Sequence, residues 1–269
     1  MPASAQQRRS PGWKPKQHGA WFMLALPLVV GLILRPADAG SGWHLAPLAG
    51  CWIIGYLAFT AATVWLKAPA SRRAQHLRPV LVYGSVSGGF GIVTLALVDR
   101  GILWWLLAFL PLIGAALWLA LLRRERTLAS GALTVAAASL VTLVVCFDTP
   151  AALLAAWGTP AANHALAMAA LIFGYEFGTV FSVKTMIRER GDAGWLAASI
   201  GWHAFCTLGA AALAWSGAAG WIWVVFFAAT VVRAWLLPAL GRTRTIRPLV
   251  IGLVEIGFTT AFVLAALLG

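Results

Sequence analysis

The chain has 269 residues, of which 61% are hydrophobic and only 10% are charged. A soluble domain carries about 25% charged residues, so this composition excludes a solvated globular domain and indicates a lipid environment. The formal net charge of +12 comes from short basic clusters between apolar runs, which favours membrane topology over nucleic-acid binding. The three cysteines form no Cys-x-x-Cys pair, so no metal or redox cofactor is expected.

Nine segments approach the length of about 20 apolar residues that a helix needs to cross the hydrocarbon core. They cover residues 18–34, 44–66, 79–98, 102–122, 128–147, 163–183, 195–215, 218–238 and 248–268. The sequence therefore predicts an all-α protein, a polytopic membrane helical bundle in which residues 18–269 form a single transmembrane domain. Residues 1–17 are predicted to be a basic cytoplasmic segment, and the connection 148–162 is expected to hold a short helix on the outer surface.

The basic residues predict the orientation, because lysine and arginine stay on the cytoplasmic side. Eighteen of the 20 fall on one side of the alternating series, which places the N-terminus inside and the C-terminus outside. Arg35 and Arg100 are the two exceptions. The predicted location is the bacterial inner membrane.

The basic N-terminal residues, the apolar run and Ala37-Asp38-Ala39 together resemble a signal peptide. The apolar run is, however, the first of the nine alternating segments, so it is expected to be retained.

Two motifs on the predicted cytoplasmic side are candidate ligand contacts. His18 lies in the run Pro15-Lys16-Gln17-His18-Gly19-Ala20-Trp21, which is either a polar contact site or an ordinary helix start. The loop after the second segment contains no acid, and its cationic or titratable residues are Lys67, Arg72, Arg73, His76 and Arg78. This loop is able to grip a phosphate. The alternative is the positive-inside rule alone, with anionic lipid headgroups as incidental partners.

A third candidate runs from Phe173, inside the sixth segment, to Trp195 beyond the next cytoplasmic loop. Lys184 and Arg188 are four residues apart, so they share a face if the helix continues. The same loop also contains Glu189, Arg190 and Asp192. Topology alone does not require such mixed charge, so a functional role is favoured there.

The fourth candidate is a set of ionisable residues inside the membrane. Glu176, His203 and Glu255 lie seven or eight residues from the inner ends of three segments, about 10–12 Å below the inner surface at 1.5 Å per residue. Charged groups inside a membrane normally face the bundle interior and find partners, so a shared polar cavity is predicted. Arg233 is the expected partner of Glu255, since their segments are consecutive. The alternative is a structural hydrogen-bond cluster that only locks the helices together.

The motif Lys16-Gln17-His18-Gly19-Ala20-Trp21, the Leu26-Pro27 and Gly31 that follow, and the stretch 177–191 resemble the YwiC-like family of bacterial membrane proteins. That resemblance implies a multi-pass membrane protein and does not imply any particular activity.

The layout also resembles, more distantly, the UbiA-type prenyltransferases, with nine helices and two cytoplasmic loops after the second and sixth. Arg78-Pro79 and the stretch Lys184 to Asp192 correspond to parts of their motifs. The acids that hold Mg²⁺ against a diphosphate are missing, because no Asp or Glu lies between Asp38 and Asp99, and Thr185 and Arg188 stand where acids are expected. The chain is therefore expected to have lost metal-assisted prenyl transfer, which argues against an enzyme of that kind.

These patterns predict a protein that binds a lipid or isoprenoid-phosphate type ligand in a cytoplasm-facing cavity on a degenerate prenyltransferase-like scaffold. The alternatives are a proton-coupled small-molecule transporter and a non-catalytic membrane scaffold subunit. Membrane lipids are the expected partners, and no nucleic acid or cofactor is expected. The predicted ligand-binding residues are His18, Lys67, Arg72, Arg73, Arg78, Glu176, Lys184, Arg188, His203, Arg233 and Glu255.

Overall fold

A computed structural model describes residues 12–13, 20–37, 39–243 and 246–268, and within these ranges the chain is helical with no strand. The helices are α1 (Ala20–Leu34), α2 (Leu45–Lys67), α3 (Ala70–Leu97), α4 (Leu106–Leu121), α5 (Leu128–Phe147), α6 (Pro150–Ala155), α7 (Pro160–Val183), α8 (Ala193–Trp215), α9 (Ile222–Thr243) and α10 (Pro248–Leu268). A 3₁₀-helix, Arg100–Trp105, precedes α4, and a π-helical turn, Lys184–Arg188, follows α7.

Eight helices in the described ranges are long and apolar enough to cross a membrane, and Trp21–Leu34 of α1 adds a shorter apolar helix. The predicted fold class, an all-α polytopic membrane protein, is therefore confirmed. A short helix in the connection 148–162 is also confirmed, since α6 lies there. Threonines begin three of the helices: Thr127, Thr149 and Thr159 each accept a hydrogen bond from a backbone N–H in the first turn.

The predicted start of the third segment is wrong by nine residues. The apolar run begins near Pro79, but α3 begins at Ala70, so Arg72, Arg73 and Arg78 lie on a helix and not in a loop. Hydropathy marks where a helix enters lipid, whereas the arginines, Ala74 and Leu77 favour helix beyond that point. Pro79 lacks one backbone donor without ending α3.

The described residues form two compact units, and the first contains residues 12–13, 42–98 and 117–125. Within it α2 and α3 pack against each other. Gly50 allows this approach, because a Cβ there would lie 2.9 Å from the ring of Phe90. The hydroxyl of Ser87 donates to the carbonyl oxygen of Cys51 at 2.9 Å. Small residues at the contact are what helix pairs in lipid need, since they let the backbones come close.

The second unit contains the described residues within 20–41, 99–116 and 126–268. Its most buried spans are those of α5 and α7, and more than half of the most apolar stretch of each is buried. An aromatic core lies where α7, α9 and α10 meet, and it contains Tyr175, Trp223, Phe226, Phe227 and Phe262. This core supports the polar side chains that α7, α9 and α10 carry next to it.

The connections after α1 and α5 in the second unit are joined by Arg35 and Asp148. Arg35 Nη1 and Nη2 donate to Asp148 Oδ1 and Oδ2 at 2.8 and 2.9 Å. The hydrogen bonds that Arg35 donates to Asp148 raise the pKa of Arg35 above its usual value, against the opposing effect of burial. Trp105 Nε1 donates to the carbonyl oxygen of Asp148 at 3.1 Å, which adds the segment before α4 to the same contact.

Candidate functional site

Arg233 of α9 is the centre of a buried polar cluster in the second unit, and only 4% of it is exposed. Its Nη1 donates to Glu255 Oε2 of α10 at 2.6 Å. Its Nη2 donates to His203 Nε2 of α8 at 3.0 Å and to Ser182 Oγ of α7 at 3.3 Å. We call these four residues the Arg233 cluster. The predicted pairing of Arg233 with Glu255 is confirmed, and His203 joins the same cluster.

The proton of His203 is fixed by these contacts. A guanidinium group only donates hydrogen bonds, so His203 Nε2 must be the acceptor from Arg233. The proton of the neutral ring then sits on Nδ1, which donates to the carbonyl oxygen of Ser199 at 2.7 Å. His203 therefore positions the guanidinium without adding a second positive charge to the cluster.

One face of α7 supplies hydroxyl groups to the Arg233 cluster. Tyr175, Thr179 and Ser182 are spaced by four and three residues and so share that face. Thr179 Oγ1 donates to Glu255 Oε2 at 3.0 Å, and the Tyr175 hydroxyl donates to the backbone oxygen of Glu255 at 3.2 Å. The sequence analysis missed these residues, although hydroxyls at helical spacing beside an intramembrane acid were the available signal.

Glycines on α7 make room for His203. A Cβ added at Gly178 would lie 2.8 Å from His203 Nε2, and one added at Gly174 would lie 3.1 Å from Cys206 Sγ. The backbone oxygen of Gly174 also accepts a hydrogen bond from Trp202 Nε1 at 2.9 Å. Gly174-x-x-x-Gly178 is the spacing that brings membrane helices together, and it could have been recognised from the sequence.

Three polar atoms of this region have no hydrogen-bond partner among the described residues: Arg233 Nε, Ser199 Oγ and Glu255 Oε1. A cavity of ≈10 Å³ lies beside Arg233 and Ser199, and its lining also includes Ser182 and Thr185 but not Glu255. That is room for about one water molecule. The cluster therefore combines a buried cation, hydroxyl groups and an unused N–H donor in a tight space.

Glu176 stands apart from the Arg233 cluster. It is 2% exposed, and neither of its carboxyl oxygens has a partner in the described part of the chain. Successive helix residues are rotated by about 100°, so Glu176 does not share the face of Tyr175 that meets α10. The predicted grouping of three residues at one depth thus separates into His203 and Glu255, joined through Arg233, and an unpartnered Glu176.

Lys184 and Arg188 belong to the π-helical turn, whose register is marked by the hydrogen bond from the backbone N–H of Glu189 to the oxygen of Lys184 at 2.8 Å. Lys184 is buried with its Nζ 4.7 Å from the ring centre of Trp195, whereas Arg188 is exposed. An open groove of ≈290 Å³ lies beside this turn and is lined by Leu128, Phe181, Asp192, Gly194, Trp195 and Ala198. Single π turns in α-helices frequently occur at functional sites.

The remaining predicted contacts lie in the first unit or outside the described residues. Lys67 Nζ is 2.8 Å from Glu125 Oε1, and the guanidinium of Arg73 lies 5.6 Å from the ring centre of Trp65. Arg72, Arg73 and Arg78 are exposed. His18 lies outside the described residues. The roles of all these side chains in ligand binding stay predictions.

Metal ligands do not gather in the described part of the chain, where no three His, Cys, Asp or Glu residues could hold an ion together. The cluster around Arg233 instead contains a cation, one acid and neutral donors. Such a set is suited to binding an anion directly.

The fold and the buried cluster together define the class: an integral, multi-pass, helical membrane protein. Residues 15–146 match the family model described as "YwiC-like protein". Over 244 residues the chain is 29% identical to "Uncharacterized protein YwiC" of Bacillus subtilis (strain 168), which covers 90% of this chain and 91% of that protein. The resemblance to the YwiC-like family is thereby confirmed. No solved structure matches the chain, and the resemblance to UbiA-type prenyltransferases stays a prediction.

Proposed function

We propose that this protein binds an anionic ligand of the phosphate type, carried by a lipid or an isoprenoid, through Arg233 on the cytoplasmic half of the second unit. The observation that carries the proposal is the buried guanidinium of Arg233, whose Nε has no partner among the described residues, next to a small cavity that Arg233 and Ser199 both line. Ionisable residues inside membrane spans are rare, pair with one another as Arg233 does with Glu255, and mark ligand or ion pathways.

The surroundings of Arg233 suit an anion better than a cation. The hydroxyl groups of Ser182 and Ser199 line the same cavity. The ring of His203 is neutral, so it adds no charge to the site that binds the anion. Phosphate oxygens accept several hydrogen bonds at once, and arginine with its fork of donors recognises them with high specificity.

The turn that contains Lys184 supplies the entry in this proposal. Lys184 and Arg188 lie at the predicted cytoplasmic end of α7 and attract anions toward it. The groove beside Trp195 has apolar walls that fit part of an acyl or isoprenoid chain. The scaffold would then resemble a prenyltransferase that has exchanged metal-bridged diphosphate binding for direct contact with arginine and lysine.

Glu176 favours a second candidate, proton-coupled transport of a small molecule. An unpartnered carboxyl group inside a membrane span is the kind of group that proton pathways use. This candidate predicts that replacing Glu176 abolishes uptake while ligand binding at Arg233 persists.

Native mass spectrometry of gently extracted protein tests the first proposal. We expect a retained phosphate-bearing lipid or isoprenoid on the unaltered protein, and its loss from the variant Arg233→Gln. Arg100→Gln is the matched control, because Arg100 is an exposed arginine of the same unit at the predicted outer side. An unaltered protein without a bound phosphate compound, or equal retention by Arg233→Gln, would contradict the proposal.

A further inference from the structure

We propose that Glu255 is an internal competitor for the Arg233 site, so that an anionic ligand binds Arg233 by displacing the Glu255 carboxylate and one proton is taken up with it. This inference rests on the proposed function and adds its regulation: binding of a phosphate-type anion is coupled to protonation of Glu255.

The space beside Arg233 requires an exchange. The cavity at its guanidinium measures ≈10 Å³, which accommodates about one water molecule and not a phosphate group. Nη2 of Arg233 is already bound by Ser182 and His203, and Nη1 is bound by Glu255. A phosphate oxygen that accepts the hydrogen bond which Nη1 now donates to Glu255 must therefore take the place of Oε2.

Glu255 is held in a way that permits this exchange. One of its oxygens, Oε2, takes both hydrogen bonds, from Arg233 and from Thr179, while Oε1 has no partner among the described residues. A carboxylate that engaged the guanidinium with both oxygens would be gripped more strongly. The side chain of Glu255 is also less buried than that of Arg233, with 14% exposed against 2%, so fewer surrounding atoms hold the acid in place.

Charge balance requires that Glu255 takes up a proton when the ligand displaces it. Arg233 and Glu255 form a neutral pair, and Arg233 with a singly charged ligand forms another neutral pair. A displaced, charged Glu255 would then be the uncompensated group in lipid, at a cost of several kcal/mol. Uptake of one proton by Glu255 removes that charge, so binding consumes a proton and strengthens as pH falls.

None of the other groups that face Glu255 takes up this proton, so Glu255 itself is the site of protonation. Helix α9 presents the guanidinium of Arg233, which only donates hydrogen bonds, and α7 presents the hydroxyls of Tyr175 and Thr179. Helix α8 reaches the cluster through His203, whose Nε2 is occupied by Arg233. Helix α1 packs on α10, and the sequence of α1 contains no ionisable side chain.

Isothermal titration calorimetry in detergent tests the coupling with two probes that stay singly charged: dimethyl phosphate, which is the bare headgroup chemistry, and short-chain phosphatidylglycerol, which is a lipid. Titrations in buffers of different ionisation enthalpy count protons. For the unaltered protein we expect uptake of about one proton per anion, and affinity that rises by up to about tenfold per pH unit between about pH 8 and about pH 5.5. Binding of both probes would indicate headgroup recognition alone, and binding of the phosphatidylglycerol only would indicate a lipid ligand.

The variant Glu255→Gln lacks the competitor. We expect at least tenfold tighter binding at about pH 8 with no proton uptake. Thr179→Val keeps the acid and removes one of its hydrogen bonds, so it should bind more tightly than the unaltered protein and still take up a proton. This second variant keeps the test available if Glu255→Gln does not fold. Arg100→Gln should match the unaltered protein.

The outcomes separate the two proposals. Binding without proton uptake in the unaltered protein, or with equal affinity in the unaltered protein, Glu255→Gln and Thr179→Val, would overturn the exchange and leave anion binding in place. Absence of binding of both probes to every variant at either pH would overturn both proposals.

Discussion

Arg233 Nη1 lies 2.6 Å from Glu255 Oε2, so a buried ion pair joins α9 to α10. Because both residues also bond to other helices, through Ser182 and His203 for Arg233 and through Thr179 for Glu255, four helices share one polar network. Removing one member of such a network lowers the stability of the protein, because the remaining charge is then buried without a partner in a medium that solvates it poorly.

A double-mutant cycle on this pair should give strongly non-additive effects. We expect Glu255→Gln to reduce the free energy of unfolding by about 3–5 kcal/mol, because it strands the guanidinium of Arg233. The double variant with Arg233→Met should recover part of that loss, since neither charge remains. Thermal unfolding in detergent across the four variants measures the coupling. Strictly additive changes would mean that the ion pair contributes nothing to stability.

Glu176→Gln is the matched comparison for Glu255→Gln. Both replace a buried glutamate inside a span, but Glu176 has no partner among the described residues that the change could strand. The shape is nearly conserved, so we expect a loss of less than about 1 kcal/mol. The same thermal unfolding assay applies. A loss as large as that of Glu255→Gln would contradict the assignment of Glu176 as unpartnered.

The contrast between Glu176 and Glu255 shows which features of the site the sequence predicts and which it does not. Periodicity and charge place both within spans at similar depth, and the pairing of Glu255 with Arg233 follows from the short connection between their helices. The position of each residue around its helix decides the rest. That angle depends on which helices pack on α7, which is set by contacts such as Gly178 against His203 that hydropathy does not encode.

Gly178→Ala should disturb the Arg233 cluster through His203. The added methyl group would lie 2.8 Å from His203 Nε2, so the ring must shift and the hydrogen bond from Arg233 must lengthen. We expect a loss of about 1–3 kcal/mol in the free energy of unfolding, as for overpacking in a core. The control is Gly209→Ala on α8, where a Cβ meets nothing within 4 Å. That variant should be neutral or slightly stabilising, and equal losses in both would contradict the steric argument.

Asp148→Asn should weaken the connection between the ends of α1 and α5. The carboxylate takes two hydrogen bonds from Arg35, and an amide oxygen can replace only one. Hydrogen bonds to charged groups contribute about 1.5–3 kcal/mol each, and partial exposure of Asp148 places the expected loss at the lower end of that range. Arg35→Lys keeps the charge but loses the bidentate contact with Asp148, so it should reduce the free energy of unfolding by less in the thermal unfolding assay. Unchanged stability in both variants would contradict a structural role.

The orientation predicted from the basic residues can be tested by reporter fusions. Fusions after Ala70, Glu125 and Arg190 should report the cytoplasm, and fusions after Gly40, Arg100 and Ala155 should report the outside. Two contacts within the second unit agree with this alternation. Arg35 meets Asp148, both in predicted outer connections, and Arg190 Nη2 donates to the backbone oxygen of Gly241, both in predicted inner connections. The critical helix is α1, because its 15 residues are fewer than the roughly 20 that span a bilayer. If α1 crosses, an N-terminal tag is protected from protease in intact spheroplasts while a C-terminal tag is cleaved. Cleavage of both tags would leave eight crossings and place the N-terminus outside.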